Sequence, residues 1–138
     1  MVKDHTRRIM KILIAYDKNV STSKVMDEAL MRAKKLEAHV YLARTCASDT
    51  KRQTIKQLEL QLEEVGKEVF EENGIECETH VLIRGLTPGE DIVGYAKEKQ
   101  VDEIIIGIKK RSKVGKLVFG STAQYIILEA HCPVLSVK

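Results

Sequence analysis

The segment from Gly107 to Thr122 is the part of the sequence best suited to chemistry. It has three glycines and no acid, and it leads through Gly120-Ser121-Thr122 into a helical pattern. It also carries five cations, namely Lys109, Lys110, Arg111, Lys113 and Lys116. Glycines let peptide N–H groups approach an anion closely, and a helix N-terminus adds unpaired donors at the positive end of its dipole. The hydroxyls of Ser121 and Thr122 can donate to the same oxygens. The segment predicts a phosphate-binding loop, and the alternative is a solvated basic loop with a Ser/Thr helix cap.

A second candidate is Asp17, which closes the first apolar run. An acid at this place can contact a ligand, or it can serve as a helix N-cap or a loop carboxylate. The turn that it begins, Asp17-Lys-Asn-Val-Ser, has no glycine. This argues against a P-loop NTPase and a dinucleotide-binding dehydrogenase, since both need glycines where the backbone meets phosphate. It also argues against an AMP-forming ligase, which usually has a Ser-Gly-Gly-type loop there.

Histidines and cysteines do not form a recognisable catalytic or metal-binding pattern in the sequence. None of the four histidines pairs with another at metal-ligand spacing, and the three cysteines (Cys46, Cys77 and Cys132) include no C-x-x-C motif. We therefore expect neither a thiolate zinc site nor a disulfide framework. No residue stands out as a general base, so we expect a binding protein and not an enzyme, with slow incidental ATP hydrolysis left open.

Size and composition indicate one domain over residues 1–138, with residues 1–9 as a flexible basic arm. The chain has 138 residues, 43% of them apolar and 31% charged, which is typical of a globular protein with one core. No apolar run is long enough for a membrane span or a signal peptide, so we expect a cytoplasmic protein. The net charge of +3 and the 4% of aromatic residues without tryptophan make a nucleic-acid partner unlikely.

Five short apolar runs predict five β-strands. The run around Ile104-Ile105-Ile106 lacks polar alternation, as a central parallel strand buried on both faces requires. The predicted strands are Lys11–Asp17, His39–Ala43, Glu78–Ile83, Glu103–Gly107 and Pro133–Val137.

Four helical patterns separate these runs. The first follows Ser21-Thr22-Ser23, the second stops at Asn73-Gly74, the third starts at Thr87-Pro88-Gly89-Glu90 and the last covers Ser121 to Ala130. The strict alternation predicts an α/β fold with a doubly wound, five-stranded parallel sheet. Ligands of such folds bind at the carboxyl ends of the strands, which here are Asp17, Ala43-Arg44, Arg84-Gly85 and Gly107.

The chain resembles the universal stress protein family over nearly its whole length, from about Met10 to Lys138. The resemblance rests on the alternation, on Asp17 after the first strand, on the loop running into Gly120-Ser121, and on the final Cys-Pro-Val-Leu-Ser-Val. It implies a Rossmann-like sheet of the adenine nucleotide alpha hydrolase-like type, with strand order 3-2-1-4-5. Nucleotide-binding members carry Gly-x2-Gly-x9-Gly-Ser/Thr and use this loop for ATP phosphates.

Carried over residue by residue, the resemblance implies a nucleotide site. Asp17 and the backbone of Ala15 would face the adenine, and Gly107 and Gly120-Ser121 would begin and end the motif. Lys110 stands at its second glycine, and Arg44 takes a position on strand 2 that is usually apolar and packs on the base. The candidate nucleotide-binding residues are Ala15, Asp17, Arg44, Ile106, Gly107, Lys110, Gly120, Ser121 and Thr122.

The resemblance also implies partners. The ligand would be ATP, with Mg²⁺ or Mn²⁺, and the chain would act through an unknown protein partner in the stress response. The apolar final strand leaves an unprotected sheet edge, and family members dimerise there, so we expect a homodimer through the C-terminal strand. The alternative is a protein of the same fold that has lost nucleotide binding, which the departures at Lys110 and Arg44 favour.

Overall fold

The computed structural model describes residues 8–18, 22–83, 85–108 and 120–138. Lys110, Arg84, Ser21 and residues 1–7 of the expected basic arm lie outside this part of the chain. The elements alternate along the sequence, and a short 3-10 turn, Glu71–Asn73, follows the second helix. The strands are β1 (Lys11–Ala15), β2 (His39–Thr45), β3 (Cys77–Leu82), β4 (Glu103–Gly107) and β5 (Val134–Val137). The helices are α1 (Thr22–Leu36), α2 (Arg52–Val69), α3 (Pro88–Lys99) and α4 (Ser121–Glu129).

The five strands form one parallel sheet in the order β3-β2-β1-β4-β5, which confirms the predicted fold and strand order. Leu13 of β1 lies opposite Tyr41 of β2 on one side and opposite Ile104 of β4 on the other. The order reverses between β1 and β4, and the helices that come next in the chain, α1 and α4, pack on opposite faces of the sheet.

A hydrophobic core covers each face of the sheet. On one face, Ile12, Val40 and Leu42 pack with buried residues of α1 and α2. On the other, Leu13 and Ile106 pack with buried residues of α3 and α4. The strands are apolar on both sides because each side faces a helix layer, as the unbroken apolar runs predicted.

Several predicted boundaries are wrong by one or two residues. β1 ends at Ala15, so Asp17 lies two residues beyond it. β2 continues to Thr45, so Arg44 is inside the strand and not past its end. This extension is a tertiary effect, since β3 pairs with β2 up to Thr45 and the Cys46 N–H donates to the Leu82 carbonyl at 3.0 Å.

Candidate functional site

The carboxyl ends of the strands meet at one edge of the sheet. The Tyr16 N–H donates to the Ala43 carbonyl at 2.7 Å, which continues the pairing of β1 with β2 past Ala15. At the same edge, between β4 and β5, the Ile108 N–H donates to the Val137 carbonyl at 2.8 Å. Because Ile14 lies opposite Ile105, the same register places Ala15 beside Ile106. The candidate residues Ala15, Ile106 and Gly107 therefore share this edge.

The described residues at the reversal point have small side chains. Ala15 and Gly107 are partly exposed and carry little or no side chain. The carboxyl edge between β1 and β4 is the usual ligand site of such a sheet, because the strand order reverses there. The structure brings together the candidates of β1 and β4 as the sequence predicted.

Helix α4 begins at Gly120, whose backbone is extended with φ −65° and ψ 159°. No side chain caps the helix, and the Gln124 N–H donates to the Gly120 carbonyl at 3.1 Å. Ser121 and Thr122 are the first helical residues, so the alternative of a Ser/Thr side-chain cap is wrong. A Cβ added at Gly120 would meet no atom of the described residues within 4 Å. No described residue therefore covers the N-terminus of α4, and its first-turn N–H groups suit an anion.

Asp17 is exposed in the turn that follows β1. Its backbone carbonyl accepts a hydrogen bond of 3.2 Å from Thr22 Oγ1 in the first turn of α1. Since α1 begins at Thr22, Asp17 is not the N-cap residue of that helix. Asp17 is therefore a solvent-exposed residue at the same edge of the sheet.

Arg44 is the candidate whose surroundings are least expected. Val40 and Leu42 belong to the core beneath α1 and α2, and strand alternation places Arg44 on the same face. Its Nε is buried and finds no hydrogen-bond partner among the residues described. An arginine at the end of a strand normally places its guanidinium in water or in an ion pair, because desolvating an unpaired charge is costly.

The sequence interpretation missed a polar cluster at the other end of β2 and β3. His39 Nε2 lies 2.6 Å from Glu78 Oε2, and His39 Nδ1 lies 3.3 Å from Glu76 Oε2. The hydrogen bond from His39 lowers the pKa of Glu78. Strand periodicity could have revealed this cluster, because diagonal neighbours on adjacent strands share a face. Within the described ranges, no group of histidine, cysteine or acidic residues is arranged to hold a metal ion.

A second missed feature is the pair formed by Arg32 and Glu103. Arg32 Nε and Nη2 each lie 2.6 Å from one oxygen of the buried Glu103 carboxylate. The hydrogen bonds to Glu103 raise the pKa of Arg32. Since Glu103 begins β4, this pair joins α1 to the amino end of β4, away from the candidate site.

Comparison with known proteins identifies the family. The family model described as the universal stress protein family matches residues 8–138. The chain belongs to this family. The resemblance inferred from the loop, from Asp17 and from the final strand is therefore confirmed. Among the described residues, none of the helices has both the length and the apolar character needed to cross a membrane.

Solved structures of the family share the fold. A universal stress protein from Archaeoglobus fulgidus is 33% identical, with a TM-score of 0.76, over 95% of this chain and 100% of that one. A structure of the universal stress protein from the same organism in complex with dAMP is 30% identical, with a TM-score of 0.75, over 94% of this chain and 98% of that one.

Curated relatives agree with this assignment. A universal stress protein of Bacillus subtilis is 28% identical over 147 residues, covering 93% of this chain and 98% of the relative. One of Methanocaldococcus jannaschii is 38% identical over 72 residues, which is 52% of this chain and 41% of the relative. The match therefore spans less than half of the length of the latter protein.

Proposed function

We propose that this universal stress protein binds an adenine nucleotide at the carboxyl edge of its sheet. The observation that carries the proposal is the Archaeoglobus fulgidus relative in complex with dAMP, which shares the fold over 94% of this chain. Base and ribose would lie over the ends of β1, β2 and β4, and the phosphate would lie at the start of α4. The base and ribose side comprises Ala15, Asp17, Arg44, Ile106 and Gly107, and the phosphate side comprises Gly120, Ser121, Thr122 and Lys110.

The geometry of α4 supports the phosphate assignment. Its first turn has no side-chain cap, and the space around Gly120 is open among the described residues. Peptide N–H groups at such a terminus donate to anionic oxygens without needing a cationic side chain. When the ligand is ATP, we expect Mg²⁺ or Mn²⁺ to bind mainly to its phosphate oxygens.

Titration by calorimetry tests nucleotide binding. We expect the parent chain to bind AMP or ATP, the latter with and without Mg²⁺, and the Gly120→Val variant to bind roughly tenfold or more weakly, as expected for losing hydrogen bonds to a charged group. Valine is compatible with the extended backbone at this position, and its Cβ would meet no described atom within 4 Å, so the fold should survive. No heat from the parent at millimolar AMP and ATP would overturn the proposal.

A matched glycine control separates a local effect from a general one. Gly74, at the opposite edge of the sheet, also has no atom within 4 Å of an added Cβ, and its φ of +79° is one that asparagine tolerates. The Gly74→Asn variant should bind as the parent does. If Gly120→Val bound as tightly as Gly74→Asn, the phosphate would not lie at α4.

The binding site would serve a regulatory protein that holds a nucleotide and acts through a protein partner in the cytoplasm during stress. The competing function is a member of this family that binds no nucleotide. Arg44 favours that alternative, because a long charged side chain occupies the edge where the base is proposed to lie. The same titration separates the two functions.

We further infer a homodimer formed through β5, which is an edge strand of the sheet. An exposed strand edge presents unpaired N–H and C=O groups, and a second copy related by a twofold axis can pair with them. Leu128 of the adjacent α4 is 77% exposed, which is unusual for a leucine unless another surface covers it.

A further inference from the structure

Arg44 has a charged side chain whose Nε finds no hydrogen-bond acceptor among the described residues. The residue is only partly exposed, and its Nε is buried. Among the described residues, no hydrogen bond or ion pair neutralises the guanidinium. By contrast, the buried carboxylate of Glu103 on β4 has Arg32 bound to both of its oxygens. Within the described part of the chain, Arg44 has no such partner.

A buried donor without a partner destabilises the folded chain. Leaving a polar group unpaired in the interior costs about 1–3 kcal/mol, and more when the group is charged. Native proteins retain few such groups, and a ligand that supplies the missing acceptor is one reason to keep one. Arg44 lies at the edge where the proposed ligand binds, one residue before the end of β2.

The strand order determines which part of a nucleotide Arg44 can reach. The strands run β2-β1-β4, so β2 is separated from β4 by two strand spacings, about 10 Å in total. Helix α4, at whose start the phosphate is proposed to bind, comes between β4 and β5 in the chain, and β5 lies on the side of β4 away from β1 and β2. Base and phosphate stand at opposite ends of a nucleotide. With the phosphate at Gly120, the base therefore lies towards β1 and β2.

We propose that the Arg44 guanidinium donates a hydrogen bond to a ring-nitrogen acceptor of the bound purine, and that it is a specificity-determining residue. This inference rests on the proposed nucleotide function. Adenine offers N1, N3 and N7 as acceptors, and a planar guanidinium can donate in the plane of the ring. Binding supplies an acceptor to a guanidinium whose Nε has none among the described residues.

The experiment is a cycle of ligand and protein variants measured by calorimetry. AMP and its 1-deaza, 3-deaza and 7-deaza analogues, each of which replaces one ring nitrogen by C–H, are titrated into the parent and into Arg44→Leu. We expect one analogue to bind the parent roughly tenfold or more weakly than AMP does, as for a hydrogen bond to a charged donor. In Arg44→Leu, AMP and that analogue should bind equally.

Three results would overturn the assignment of Arg44 while leaving nucleotide binding intact. In the first, the parent binds all three analogues as tightly as AMP. In the second, the deaza effect persists in Arg44→Leu. In the third, Arg44→Leu weakens ribose 5-phosphate binding as much as AMP binding, which would place the guanidinium on the sugar or phosphate. If the parent does not bind AMP at all, the proposed function itself fails and this assignment falls with it.

A measurement without ligand tests the same assignment independently. Replacing a partly buried, unpaired cation by an apolar side chain is often neutral or stabilising. The Arg44→Leu variant should therefore unfold at the same temperature as the parent or a higher one, and AMP should stabilise it less than the parent. A marked loss of thermal stability without ligand would show that Arg44 supports the fold, and would contradict the assignment.

Discussion

At the scale of single residues, the surroundings decide what a side chain can do. Cys77 begins β3 and lies under α2, where its Sγ is 3.2 Å from the place that a Cβ on Gly66 would take. Burial, together with the smaller effect of the charges of Glu71 and Glu78, raises the pKa of Cys77 to about 12. The thiolate is the reactive form of cysteine, so this thiol is inert in the folded chain.

We expect Cys77 to resist alkylation by iodoacetamide at pH 8.5 in the native chain. In the unfolded chain its pKa returns to about the ordinary value of 9.0, and labelling should be fast. Mass spectrometry of the tryptic peptides with and without 8 M urea gives both rates, and the urea sample shows that the peptide is detected. Equal rates in the two conditions would show that β3 and α2 do not protect the thiol.

At the scale of elements, a glycine determines how closely two helices approach. Thr87 caps α3 as predicted, since the Glu90 N–H donates to Thr87 Oγ1 at 3.3 Å and Thr87 Oγ1 donates to Glu90 Oε1 at 2.9 Å. Gly89 has a second role that the capping pattern does not reveal. A Cβ at this position would lie 2.9 Å from both Cβ and Cδ1 of Tyr125 in α4. Only glycine allows α4 to take its place against α3.

The Gly89→Ala variant should be less stable than the parent by about 1–3 kcal/mol, the usual cost of forcing an additional group into a packed contact. Urea denaturation monitored by circular dichroism measures the free energy of unfolding. Tyr125→Ala removes the ring that the new methyl group meets, so the double variant should be more stable than the sum of the two single effects predicts. Strictly additive changes in the free energy of unfolding would show that positions 89 and 125 are not in energetically coupled contact.

At the scale of the whole molecule, the parallel ladder leaves one side of β5 unpaired. The Ile104 N–H donates to the Pro133 carbonyl at 3.0 Å, and the Ile108 N–H donates to the Val137 carbonyl at 2.8 Å. Residues of β5 with odd numbers therefore direct their peptide groups towards β4, and those with even numbers direct them outwards. Ser136 is thus an outward donor, available to a second copy of the chain.

The Ser136→Pro variant should be monomeric at concentrations where the parent is a dimer. Proline removes the outward N–H and leaves the bonds from β5 to β4 intact, a substitution that edge strands tolerate. Sedimentation velocity at several concentrations measures the association, and Ser136→Ala, which keeps the N–H, serves as the control. A monomeric parent would contradict the proposed dimer, and a Ser136→Pro variant that still dimerises would exclude β5 pairing as its basis.

The sequence by itself determined the elements, because their signals are local. The run Ile104-Ile105-Ile106 predicts a strand buried on both faces from its composition alone, and Thr87-Pro88-Gly89-Glu90 predicts a helix start from groups only three residues apart. Alternating elements with right-handed crossovers then leave few possible sheets, and the family resemblance selected the observed order. The shared edge of Asp17, Gly107 and Gly120 follows from that topology.

Only the tertiary structure decided the contacts between distant residues. Arg44 lies inside β2 because β3 extends the pairing, and its Nε is buried without a hydrogen-bond partner among the described residues. The pairing of Arg32 with Glu103 joins residues 71 positions apart. Such features depend on which surfaces the fold brings into contact, and the energy of a side chain there is set by neighbours that no local pattern identifies.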